Sequence, residues 1–193
     1  MRIITGSAKG AKLKTPRGRD TRPTADRVKE SLFNILGPMV EGRVVLDIFA
    51  GTGSLGLEAL SRGAESAVLV DKATAPLMRE NARHVRLEGR AEVMGLDVFA
   101  ALARLSAGQR TFGLIFCDPP YHLGLWEKAL SALDSGEILS YEGILVVEHG
   151  ADENVYPQLD NLQLVLNKSY GHTTQLSFFQ RKDYLSACEE GEK

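Results

Sequence analysis

Cysteine, histidine and tryptophan are scarce in this chain: two, four and one in 193 residues. Cys117 and Cys188 lie far apart, which excludes a disulfide framework, and the histidines fall at no zinc-site spacing. Long hydrophobic runs are missing too. Apolar stretches such as Ile144–Val147 are far shorter than the ~20 residues a membrane-spanning helix needs. The first residues are polar and basic without an apolar core, so no secretory leader is expected. No repeat or low-complexity tract interrupts the chain. With 44% hydrophobic and 25% charged residues, the composition is globular and excludes a wholly disordered, collagen-like or coiled-coil chain. The expectation is a soluble, cytoplasmic, metal-free protein, monomeric by default, built around one domain.

The net charge of −2 hides an asymmetry. Residues 1–30 hold nine Lys/Arg and three acidic residues, whereas residues 31–193 hold fourteen and twenty-two. A basic head on an acidic body points to a polyanion, of which nucleic acid is the commonest. A solvated loop that keeps the protein in solution would explain the same charge. On the first reading Lys9, Lys12, Lys14, Arg17, Arg19 and Arg22 contact phosphates.

Residues 1–23 read as a basic extension with short strands near Arg2–Thr5 and Lys12–Lys14, joined by a turn at Ala8–Gly10. Pro23-Thr24 opens a helix with Thr24 as N-cap, and Val28, Leu32, Ile35 and Leu36 recur at helical spacing until Gly37-Pro38. Strands and helices then alternate. Strands are expected at Val44–Phe49, Ala67–Val70, Ala91–Met94, Leu114–Cys117 and Ile144–Glu148. Helices are expected at Ser54–Arg62, Ala75–Arg86, Val98–Leu105 and Leu125–Leu133. Leu162–Tyr170 and Thr174–Arg181 read as a hairpin around Gly171. This pattern predicts an α/β, doubly wound, Rossmann-like sheet, mostly parallel with a C-terminal antiparallel hairpin. The domain proper is expected over residues 24–183, followed by a disordered acidic tail over 184–193.

Four acidic positions fall at strand ends, where open parallel sheets bind ligands. Asp47 opens Asp-Ile-Phe-Ala-Gly-Thr-Gly-Ser-Leu-Gly, whose Ala50, Gly51, Thr52 and Gly53 form a tight turn that brings backbone close to a ligand. The spacing of Gly51, Gly53 and Gly56 alone fits a dinucleotide fold equally well. Asp71, ending the second strand, can accept ribose hydroxyls, or simply cap a helix. Asp97, followed by Val98, can accept an adenine amino hydrogen, or cap the third helix of the alternation. The most informative run is Ile115-Phe116-Cys117-Asp118-Pro119-Pro120-Tyr121. Two prolines fix the turn, so Asp118 is aimed at one place. Methylation of an exocyclic base amine needs such a group. The amine lone pair is delocalised into the ring. A carboxylate and a backbone carbonyl that accept its hydrogens turn the lone pair towards the methyl donor. Tyr121 supplies a flat face for an extruded base. A platform needs only its ring, so Phe is expected to serve there almost as well.

Asp118–Tyr121 resembles the Asp/Asn-Pro-Pro-aromatic signature of amino-methyltransferases acting on adenine N6, guanine N2 or cytosine N4. Asp47–Gly53 resembles motif I of the S-adenosylmethionine-dependent class. Arg2–Gly6, Thr21-Arg22-Pro23-Thr24, Arg27–Glu30, Phe33–Leu36 and Asp47–Ala64 further resemble the RsmD family, over roughly residues 1–182. The resemblance implies a seven-stranded methyltransferase using S-adenosylmethionine. It implies the N2 amine of one 16S rRNA guanine as substrate, position 966 by family type, on the assembled 30S subunit. It places Asp118, Pro119 and Tyr121 at catalytic positions. Asp47, Ala50, Gly51, Thr52, Gly53, Asp71, Asp97 and Val98 fall at donor positions, and Arg22, Pro23 and Thr24 near the RNA. The family more often carries Glu where this chain has Asp71, and the acidic tail matches no part of its pattern. Asp-Pro-Pro-Tyr by itself also permits an adenine-N6 enzyme acting on DNA or another RNA, although no target-recognition domain is visible. A dinucleotide oxidoreductase would need a second substrate domain. A non-catalytic RNA-binding module would leave Asp-Pro-Pro-Tyr unexplained.

Overall fold

The computed structural model describes residues 1–16, 23–153 and 156–191. The chain divides into two compact units, Met1–Val98 and Phe99–Lys193. In the first, α1 (Pro23–Leu36) leads to β1 (Val44–Ile48), α2 (Ser54–Ser61), β2 (Ser66–Val70), α3 (Ala75–His84) and β3 (Ala91–Met94). These strands are parallel in the order β3-β2-β1, with Asp47 level with Leu69, and Val70 level with Met94. Apolar runs such as Val45, Leu46, Ile48 and Val68–Val70 are fully buried, as befits strands covered on both faces. The first helix starts at Pro23, so Thr24 lies inside it and is not its cap. Proline's fixed φ and missing N–H suit that first position.

The second unit contains nearly all of α4 (Val98–Ala107), followed by β4 (Phe112–Cys117), α5 (Leu125–Ser135), β5 (Leu139–Gly150), β6 (Leu162–Tyr170), β7 (Thr174–Arg181) and α6 (Lys182–Gly191). β4 and β5 are parallel, with Cys117 opposite Val147; β7 runs antiparallel to both β5 and β6. The seven strands make a mostly parallel sheet with an antiparallel C-terminal pair, and the hairpin ends fall where the sequence puts them. The buried Asp134 carboxylate steers the chain into β6 by accepting from the amides of Asp160, Asn161 and Leu162 at 2.7–2.9 Å.

Two segments differ from expectation. Residues 1–14 are docked on the first unit and do not extend from it. Ile3 and Leu13 are buried, and the short hairpin is closed by the Arg2–Lys12 bridge, with no full strands. Gly6 makes the docking possible: at φ +86° its Cα passes so close to α2 that a Cβ would lie 1.8 Å from the Ser61 carbonyl oxygen. Where a disordered tail is expected, α6 forms instead. Lys182 anchors it through bonds from its amide and Nζ to the Asn161 and Leu159 carbonyls, and Tyr184 packs edge-on against Tyr141.

Candidate active site

In the first unit, β1 ends in a loop of unusual backbone. Phe49 (φ 62°), Gly51 (φ 55°) and Gly53 (φ 79°) all adopt left-handed conformations before α2 begins. For Phe49 this stores strain of order 1–3 kcal/mol, the kind that collects at ligand-binding turns. The strain has no signature in the sequence. Among the described residues, a Cβ at Gly51 would meet only the Phe49 carbonyl, at 3.9 Å, which leaves that side of the loop room for a ligand. Ala50 is committed to the turn: its amide bonds Val70 and its carbonyl accepts from Gly53.

Asp71 does two jobs at once. One oxygen accepts from the Gly51 amide at 3.1 Å, tying β2 to the loop; the other accepts from Ala73 and Thr74 and starts the turn into α3. Of the roughly four lone-pair sites of a carboxylate, three are therefore in use. The remaining one can take a ribose hydroxyl. Asp97 is exposed just before α4, and the Val98 side chain is buried, so only the backbone of Val98 can face a ligand.

Asp47 is almost completely buried and accepts from the Gly56 amide at 2.8 Å. It braces the first turn of α2 from beneath. Burial raises its carboxyl from the ordinary 3.8 to about 7; the Gly56 bond opposes the rise and the Asp71 charge adds to it. Because the folded state holds this proton more tightly than the unfolded chain, the group's stabilisation is complete near pH 4 and is lost as pH rises through about 7. Asp47→Asn keeps an acceptor for Gly56 without the charge. Relative to wild type it should gain stability between pH 4 and pH 8, by up to roughly 4 kcal/mol. Urea denaturation at several pH values checks this. A wild-type–variant difference independent of pH would refute it.

Asn81, fully buried on α3, joins this loop to the N-terminal hairpin. It exchanges two hydrogen bonds with the Lys14 backbone, at 2.8 and 3.0 Å, and donates to the Thr52 carbonyl at 2.9 Å. Lys9 and Lys12 are exposed, while the Lys14 ammonium is paired with Glu80. Arg17, Arg19 and Arg22 lie outside the described residues; of Pro23 and Thr24, the backbone opens α1.

In the second unit, Asp118 emerges exposed at the end of β4, Pro119 is buried and Tyr121 is half-buried. The Tyr121 hydroxyl donates to Glu148 Oε1 at 2.7 Å and shares a 3.2 Å bond with Thr174. The hydroxyl thus has partners of its own, which the sequence does not announce. Burial, and then the Glu148 and Asp118 charges, push the phenol well above its ordinary range. Glu148 and Thr174 have no place in the sequence reading. The signal for Glu148 was present, since it is an acidic residue closing an apolar strand, as Asp118 is. His122 is exposed, its amide bonded to Glu153. Trp126 is buried and stacked on His149 at 4.5 Å, so it is a packing residue.

Comparison with known proteins agrees with this architecture. The family model described as conserved hypothetical protein 95 matches residues 1–180. A putative rRNA methyltransferase, YlbH, from Bacillus subtilis is 38% identical over 90% of this chain and 95% of its own. The ribosomal RNA small subunit methyltransferase D of Escherichia coli K12 is 38% identical over 77% of this chain and 74% of its own. Among solved structures, a putative methyltransferase from Escherichia coli, yhhF, superposes with a TM-score of 0.80 at 36% identity, covering 94% of this chain and 97% of that one. With a family model spanning nearly the whole chain and relatives this similar, the protein belongs to the conserved hypothetical protein 95 family, the RsmD family of methyltransferases.

Proposed function

We propose that this protein transfers a methyl group from S-adenosylmethionine to the exocyclic N2 amine of a guanine in 16S rRNA, on the assembled 30S subunit. The observation that carries the reading is Asp118-Pro119-Pro120-Tyr121 at the mouth of β4, with the Tyr121 ring held in place through its hydroxyl. When bound, S-adenosylmethionine supplies an electrophilic methyl group on a sulfonium. The open side of Gly51, the remaining lone pair of Asp71 and the exposed Asp97 fit its nucleoside. Asp118 accepts hydrogens of the amine and orients its lone pair; Tyr121 stacks on the base. No metal has a part in these steps, and a cytoplasmic monomer suffices for them.

The test is transfer of labelled methyl to 30S particles lacking this modification, to naked 16S rRNA and to duplex DNA, with nucleoside analysis. Label in N2-methylguanosine is the expected result. Label in N6-methyladenine would overturn the base assignment, and preference for naked rRNA would overturn the particle assignment.

The exposed lysines of the hairpin are assigned to phosphates. Lys9→Glu and Lys12→Glu should each weaken binding to the rRNA substrate and lower the slope of log K against log salt by about 1. A slope unchanged in both variants would return the hairpin to a purely structural role.

A further inference from the structure

The polar group that holds Tyr121 has an unused capacity. β4 and β5 are parallel neighbours with Cys117 opposite Val147, so Asp118, the first residue past β4, comes out beside Glu148, which β5 still pairs with Leu176 of β7. Adjacent strands lie about 4.8 Å apart, so two carboxylates border one small region. Glu148 is fixed there by the Tyr121 hydroxyl on Oε1, and Tyr121 is in turn steadied by Thr174 at the start of β7. Among the described residues, Glu148 Oε2 has no hydrogen-bond partner. An aimed carboxylate oxygen beside a base-stacking ring calls for a donor from the base.

Guanine offers one. Its ring N1–H lies next to its N2 amine on the same edge, so both donors can meet the two carboxylates together. Adenine carries an acceptor at N1, whose lone pair a carboxylate repels. We propose that Glu148 is the residue that selects guanine, accepting the N1–H on Oε2 while Asp118 accepts from the neighbouring N2 amine. The inference rests on the guanine-N2 reading above. Burial pushes the Glu148 carboxyl up, and the bond donated by Tyr121 pulls it back towards the ionised form that accepts. A site built to hydrogen-bond a particular N–H rejects analogues lacking it far more strongly than an apolar pocket rejects a change of shape.

The experiment uses small-subunit particles reconstituted with guanine, 6-thioguanine or 2-aminopurine at the methylated position, mapped beforehand on unaltered particles. 6-Thioguanine keeps the N1–H. 2-Aminopurine keeps the 2-amine but presents N1 as an acceptor. Wild type should methylate 2-aminopurine on the order of 10²-fold or more slowly in kcat/KM than guanine, and 6-thioguanine within about tenfold of guanine. Glu148→Gln retains an acceptor for Tyr121 and gains an amide donor for the N1 of 2-aminopurine. It should slow guanine methylation and bring the guanine to 2-aminopurine ratio within about tenfold. Thermal unfolding and donor binding establish that the variant is folded. If it is not, the wild-type comparison of 6-thioguanine with 2-aminopurine decides. Equal use of those two analogues by wild type, or an unchanged ratio in folded Glu148→Gln, overturns the proposal. Absence of N2-methylguanosine from the guanine particle overturns instead the reading on which it rests.

Discussion

Asp118→Ala should bind S-adenosylmethionine as wild type does and lose about 10²-fold or more in turnover. The two properties separate because donor binding is assigned to the β1–α2 loop and Asp71, whereas Asp118 is assigned to the amine. An amine whose lone pair is delocalised into the ring reacts only when its hydrogens are held, and misplacement of a reacting group costs on the order of 10²-fold. Asp118→Asn sharpens the test. Its amide oxygen accepts a hydrogen bond but takes up no proton at neutral pH. If Asp118 orients the amine, Asn should keep most of the rate that Ala loses; if it must receive the proton, Asn should be as slow as Ala. Single-turnover methylation, with donor affinity measured by calorimetry, distinguishes these outcomes. An alanine variant turning over within about threefold of wild type would remove Asp118 from the chemistry, since even a single lost orienting contact is worth more than that.

The candidate site is built on strand ends, and those are legible because two kinds of signal coincide there. Apolar runs such as Val45–Ile48 and Leu114–Cys117 mark buried strands, and the glycines or prolines that follow mark forced turns. Asp118 and the Gly51–Gly53 turn announce themselves in this way. Glu148 does not, because no turn residue follows it directly; its role depends on the pairing of β5 with β4 and on a hydroxyl twenty-seven positions earlier in the chain. The docking of the hairpin is hidden from the sequence for a related reason. Its composition is that of a solvated arm, but its fate is decided by partners far along the chain: Glu58 and Ser61 on α2 and Asn81 on α3. A lone carboxylate such as Glu58 gives no local sign that it is facing inward. α6 is hidden because its sequence is polar and acidic on average, and its anchors are carbonyls of the loop before β6.

Glu58→Ala should destabilise the protein by about 3–5 kcal/mol, the usual cost of breaking a buried charge cluster from one side. The Glu58 side chain is fully buried and holds four partners. It accepts from the amides of Ile4 and Thr5 at 2.7 and 3.0 Å, from Arg62 Nε at 2.8 Å, and lies 3.4 Å from the Lys29 ammonium. Lys29 is also buried and donates to the Arg2 carbonyl and to Ser54, so one charged pair fastens the hairpin to both α1 and α2. Burial pulls the Lys29 ammonium below its ordinary range, against the Glu58 charge. Removing Glu58 therefore leaves a buried cation without its counter-charge and two hairpin amides without an acceptor. Lys29→Met removes that cation while keeping the length of the side chain. Combined with Glu58→Ala it should recover part of the loss, giving a coupling energy of roughly 1–3 kcal/mol in a double-mutant cycle. The two orphaned amides keep the recovery incomplete. Urea denaturation of all four proteins measures the cycle, and strictly additive losses would mean that Lys29 and Glu58 do not act as a pair. Limited proteolysis adds a spatial check: cleavage within residues 1–16 should appear in Glu58→Ala before the rest of the first unit is cut, because the hairpin is what the carboxylate holds down.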